Sequence, residues 1–196
     1  MQHQMGTSSA LMVSYLLSSP AYSFYCFLLL CNRIETPLYI SLPLSILSLS
    51  ILPILYIITE YRRGRTDIFV TDKDKRPKFF IPALISYAMG ALAFTLLGDG
   101  VLAAFHLCYL TVTATIFLVS LKWKISIHTA GIAGPTTFLV YYLGPVYTIL
   151  YLLIPLAAWS RYKLRAHTIP QLVMGALVAL IVTHITCSIL EPIIHL

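Results

Sequence analysis

The sequence predicts an all-α protein, a polytopic transmembrane helical bundle of six to seven spans. Three observations carry that expectation. Of 196 residues, 59% are hydrophobic and only 10% charged, a balance that a water-soluble domain of this size could not cover with polar surface. Apolar runs long enough to cross a bilayer recur along the whole chain. The cations collect in the gaps between alternate runs, so the polar segments have sides.

A hydrocarbon core about 30 Å thick takes roughly 20 helical residues to cross. Seven segments approach that length: 10–31, 38–59, 79–97, 101–121, 125–143, 145–159 and 169–190. The first has no basic n-region and no small-residue cleavage site, so it reads as a retained helix. The second runs into the cluster Arg62-Arg63-Gly64-Arg65, and the third opens behind Arg76-Pro77. Only the turn signal Gly144-Pro145 divides the fifth from the short sixth, which is why the count runs from six to seven. No repeat, low-complexity tract or linker divides residues 1–196, which reads as a single domain. Cys26, Cys31, Cys108 and Cys187 stand alone in apolar stretches without C-x-x-C spacing, as small buried hydrophobes do.

Seven crossings sort the polar segments into two sets. One set holds Arg62, Arg63, Arg65, Lys73, Lys75, Arg76, Lys78, Lys122, Lys124, Arg161, Lys163 and Arg165; the other holds Arg33 alone. The positive-inside rule makes the basic face cytoplasmic and puts the N-terminus there, in the cell membrane. Lipid anchoring accounts for the Arg62–Arg65 cluster. Nucleic acid is excluded as a partner, because no basic helix is interleaved with aromatics on a soluble module.

Three segments of the basic face carry more than anchoring. The first is D-K-D-K-R-P at 72–77. The second is K-I-S-I-H-T-A-G at 124–131, where His128, Gly131 and Gly134 follow at helical spacing. The third is S-R-Y-K-L-R-A-H at 160–167, followed by Gln171, with His167, Gln171 and Gly175 on one helical face. Two helices separate each segment from the next, so all three reach the same membrane face. Two imidazoles among several cations suit phosphoryl transfer, in which charge develops on phosphate oxygens and needs fixed positive donors. Arginine serves best there, since its planar fork binds two oxygens at once.

The third segment resembles the S-R-x5-H-x3-D signature of the type-2 phosphatidic acid phosphatase superfamily. Ser160, Arg161 and His167 coincide with it, and Gln171 stands at the aspartate position. Ser126 and His128 fall in register with that family's P-S-G-H motif, with Ile125 and Ile127 replacing proline and glycine. Arg76-Pro77 matches the end of K-x6-R-P, with Phe69 at the lysine position and Lys73, Lys75 or Arg65 as substitutes. The resemblance spans roughly residues 73–175 and leaves the two N-terminal helices out. It implies that His167 is the nucleophile of a phosphohistidine intermediate and that His128 protonates the leaving group. Gln171 would orient the nucleophile; Arg161, Arg76 and Ser126 would hold phosphate oxygens. Lys124 and Lys73 are added from position alone. It further implies a metal-independent enzyme with no cofactor, whose substrate is a lipid phosphate or prenyl diphosphate. A neutral Gln171 accepts the same hydrogen bond as an aspartate but supplies no charge. Two other readings use the same residues: a lipid phosphotransferase, and a non-catalytic lipid-binding or transport protein. His106 and His184 lie in mid-segment without a motif and read as structural hydrogen bonders. No segment specifies the lipid tail, the headgroup or an oligomeric state.

Overall fold

The computed structural model describes residues 2–67, 70, 72 and 75–194, with side chains from 7 to 192. The described residues are helical with short connections and hold no strand. The first expected helix is broken: α1 (Gln2–Leu16) and α2 (Ser19–Leu30) meet at a 48° bend. Pro20 is the cause, because it has no N–H for the Leu16 carbonyl and its ring crowds that position.

The second segment is continuous from Leu38 to Arg62 but changes register inside. α3 (Leu38–Ser45) passes through a π turn (Ile46–Ile51) into α4 (Leu52–Arg62). Pro53 again explains the break. Without an N–H it leaves the Ser48 carbonyl unserved, and the Ser86 hydroxyl donates to that oxygen at 2.6 Å. His106 Nε2 lies 2.8 Å from Ser48 Oγ, while its Nδ1–H donates to the Leu102 carbonyl at 2.7 Å. The mid-helix His106 is thus a structural hydrogen bonder, fully buried; His184 is exposed beside the Tyr141 ring.

α5 (Arg76–Leu96) and α6 (Gly100–Ser120) form an antiparallel pair. Asp99, in the turn between them, is fully buried. Its carboxylate accepts the Leu102 N–H and caps α6, and it also accepts the Glu35 and Thr36 N–H groups at 3.0 and 2.9 Å, pinning the loop after α2. α7 (Ile127–Leu143) runs through the middle of the bundle, with every residue from 129 to 139 buried against α2, α6, α8 and α9. A 3-10 stretch (Pro145–Leu152) leads into α8 (Leu153–Lys163), and α9 (Ile169–Ile194) closes the chain against α7 and α6.

Among the described residues, four helices are long and apolar enough to cross a membrane: Leu38–Arg62, Arg76–Leu96, Gly100–Ser120 and Ile169–Pro192. The bent α1–α2 pair makes a fifth if it counts as one span. α7, at 17 residues, and the 3-10/α8 leg are shorter. Large apolar side chains cover the outside as well as filling the core. Leu92, Leu118, Ile149 and Ile189 stand exposed, while Ser14, Ser41, Ser45, Thr136 and Thr183 are buried. A membrane protein has this distribution, because lipid solvates an apolar exterior and polar side chains are kept out of the hydrocarbon.

Candidate functional site

The site begins with the way α8 ends. The Ala166 N–H donates to the Arg161 carbonyl at 3.0 Å and the Arg165 N–H to the Tyr162 carbonyl at 2.9 Å, the paired bonds of a Schellman turn. Arg165 takes the left-handed position, with φ 53°, that glycine usually fills. This reversal brings His167 back beside Arg161, so the five-residue spacing between them is the length of one helix stop. Both side chains are buried and line a single cavity.

His167 is held by the first turn of α9. Gln171 Oε1 accepts the Thr168 N–H at 3.1 Å, and a backbone amide can only donate, which fixes the oxygen of the side-chain amide at that point. The same oxygen lies 3.3 Å from His167 Nδ1, so Nδ1 carries the ring proton and Nε2 keeps its lone pair. Burial first, then the charges of Arg76, Lys124 and Arg161, push the imidazole's pKa down to about 3, with the bond to Gln171 opposing them. The ring is therefore neutral at physiological pH, with a free nucleophilic nitrogen.

His128 comes from the first turn of α7. Ser126 is the N-cap of that helix: its hydroxyl accepts the Thr129 N–H at 3.3 Å, and it is fully buried and outside the cavity lining. The loop carrying Lys124 and Ser126 is fastened to α9, with the Ser126 N–H donating to the Gln171 carbonyl at 3.0 Å and Thr129 Oγ1 to the Leu172 carbonyl at 2.8 Å. Gly175 makes that approach feasible, since a Cβ there would overlap the Ser126 carbonyl oxygen. Gly131 plays the equivalent part against Ser19 at the start of α2.

Arg76, buried at the start of α5, donates through Nη1 to the Ile125 carbonyl at 3.3 Å and lines the same cavity. Lys124 is half-buried. Burial, then Arg76 and Arg161, lower its pKa, and Asp67 acts in the opposite direction. The structure thus brings together His167, His128, Arg161 and Arg76 around one cavity, with Gln171 behind His167 and Lys124 within electrostatic range. Lys73 and Phe69 lie outside the described residues. Of the other expected lysine substitutes, Lys75 pairs with Asp72 at 3.5 Å and Arg65 with the buried Glu60 at 3.4 Å, and both cations are exposed.

Two participants escaped the sequence reading. Ser14, on α1, accepts a hydrogen bond from Arg161 Nη1 at 2.8 Å and lies 3.5 Å from His128 Nε2, joining the two motif segments through a helix that neither contains. Asp67, in the loop after α4, supplies the negative charge felt by Arg76, Arg161 and Lys124. A serine inside an apolar run and an aspartate inside a basic loop carry no motif; only the folded geometry marks them.

Among the described residues no cluster of His, Cys, Asp and Glu has the makings of a metal site. Compared with known proteins, the chain matches no family model, no curated protein and no solved structure.

Proposed function

We propose that this membrane protein is a lipid phosphatase or diphosphatase that removes phosphate from a phospholipid or polyprenyl substrate through a phosphohistidine. The observation that supports it best is the convergence of two imidazoles and two buried arginines at the polar end of one cavity. Arg161 and Arg76 would hold the phosphate oxygens, with Lys124 adding charge. His167 Nε2, the nitrogen left free by the bond to Gln171, attacks phosphorus; the P–O bond to the lipid breaks, and His128, which takes up a proton when the anionic phosphate binds beside it, gives that proton to the departing oxygen. Water then attacks phosphorus, His128 takes the water's proton, the N–P bond breaks, and free phosphate leaves with His167 restored. This reading includes six to seven crossings, with α7 and α8 as short central legs, and a basic face on the cytoplasmic side of the cell membrane.

The test is phosphate release by purified protein, without added metal and with chelator, from phosphatidic acid, phosphatidylglycerophosphate and a prenyl diphosphate. Release from at least one substrate that vanishes in His167→Ala is the expected result; release that survives the substitution sinks the phosphohistidine. The neutral Gln171 favours a second reading, a non-catalytic lipid-phosphate binder. Silence on every lipid together with retained binding would select it.

A further inference from the structure

The cavity does not end at the cations. It holds about 320 Å³ and continues from Arg76 and Arg161 toward the middle of the bundle between the α1–α2 junction and faces of α4, α5, α6 and α7. Its lining on α5 runs from Arg76 to Tyr87 and on α6 from Ile116 back to Phe105. Each stretch is twelve residues, a depth of about 16 Å over eleven helical rises of about 1.5 Å.

An aromatic wall stands at the deep end. Tyr87 and Tyr109 have ring centroids 5.3 Å apart, and Phe105 meets Tyr109 edge-on at 5.2 Å. The wall stands on a braced base: one residue beyond Phe105, His106 is tied to Ser48, and one residue before Tyr87, Ser86 donates to the Ser48 carbonyl. A floor supported by that hydrogen-bonded junction yields less readily than one of loose aliphatic side chains.

A cavity of that volume, a shaft with cations at one end and apolar walls along its depth, has room for one anionic head and one tail. We propose that the shaft selects single-chain lipid phosphates by tail length, with Tyr87, Phe105 and Tyr109 as the stop. This rests on the lipid-phosphate reading above and adds the substrate class and its limit. An extended chain advances about 1.2 Å per bond, taken from the 3.6 Å reach of a three-bond residue, so the shaft accepts roughly 13 bonds. Discrimination works by exclusion. A tail already in hydrocarbon gains little from another apolar surround, whereas one that overruns the wall must overpack the floor or draw its phosphate away from Arg161.

The experiment is binding of octyl, dodecyl and hexadecyl phosphate to the full-length protein in detergent, read as thermal shift, with phosphate release measured in parallel. Wild type should bind octyl and dodecyl phosphate alike and hexadecyl phosphate about tenfold more weakly, a modest overpacking penalty. Tyr109→Ala should restore hexadecyl binding. Val112→Phe, which fills the shaft one turn nearer the cations, should move the break below dodecyl and keeps the test alive if Tyr109→Ala does not fold. Detergent partitioning is common to every variant, so it cancels in the comparison with wild type. No break in wild type, or a break that neither substitution moves, overturns the proposal and means that tails leave sideways into lipid. Binding with a break but no phosphate release would refute the enzyme while sparing the shaft.

Discussion

Gln171→Glu tests the coupling of His167 to α9 in the direction opposite to a knockout. The substitution keeps the shape of the side chain and replaces a neutral acceptor, 3.3 Å from Nδ1, with a carboxylate. A hydrogen bond to a charged group contributes about 1.5–3 kcal/mol against about 0.5–1.5 for a neutral one, so the imidazolium gains about 1.4 kcal/mol, or tenfold in proton affinity. From a wild-type value of about 3, that still leaves the ring neutral at pH 7. Under the proposed reaction the nucleophile is therefore not lost, while the positive charge that would develop on the ring during attack on phosphorus is better stabilised. We expect kcat to rise about five- to tenfold. KM should rise too, because the new carboxylate behind His167 adds negative charge near the phosphate that Arg76, Lys124 and Arg161 would hold. The assay is phosphate release at saturating lipid phosphate across pH, with the acid limb moving to higher pH in the variant. A variant that folds like wild type with kcat unchanged or lower would refute the idea that this bond sets the nucleophile's state.

Ser14→Ala removes the acceptor that fixes Arg161, at a cost of about 1 kcal/mol in preorganisation; KM should rise roughly fivefold with kcat little changed, and an unmoved KM would make Ser14 a bystander. Gly175→Ala drives a methyl group into the Ser126 carbonyl. Overpacking of about 2 kcal/mol should lower the melting temperature by about 5 °C and slow turnover by displacing the loop before His128, whereas wild-type melting would show that α9 stands off from that loop. The depressed pKa of His167 also has a stability signature. As pH falls from 6.5 toward 3, the unfolded chain takes up a proton that the folded chain refuses, so this group removes about 1.4 kcal/mol of stability per pH unit through that window. His167→Asn should flatten the acid side of a melting-temperature profile by that amount, and an unchanged slope would mean that the ring is not buried as described.

The Arg161–His167 spacing was legible because it rests on a local rule, a helix stop of fixed length. The bend between α1 and α2 was signalled by Ser18-Ser19-Pro20, yet hydropathy summed over 10–31 passes smoothly across it. Hydropathy measures solvent, not backbone hydrogen bonds. The π turn was less visible still, because it depends on Pro53 freeing a carbonyl that a hydroxyl from α5 must then satisfy. Ser14 and Asp67 could not be read at all; their meaning lies in what stands opposite them, and no periodicity records that. Ser126 shows the reverse case, a motif position whose hydroxyl caps a helix.

The fastening of the α7 loop to α9 makes His128 and His167 parts of one opening unit. The Ser126 amide and the Thr129 hydroxyl both end on carbonyls of the first turn of α9, so neither segment can fray without releasing the other. Backbone protons of two sequence-distant loops should accordingly exchange with solvent at a common rate, governed by one sub-global event. Heat or denaturant that loosens that unit would abolish function while α5 and α6 are still folded against each other.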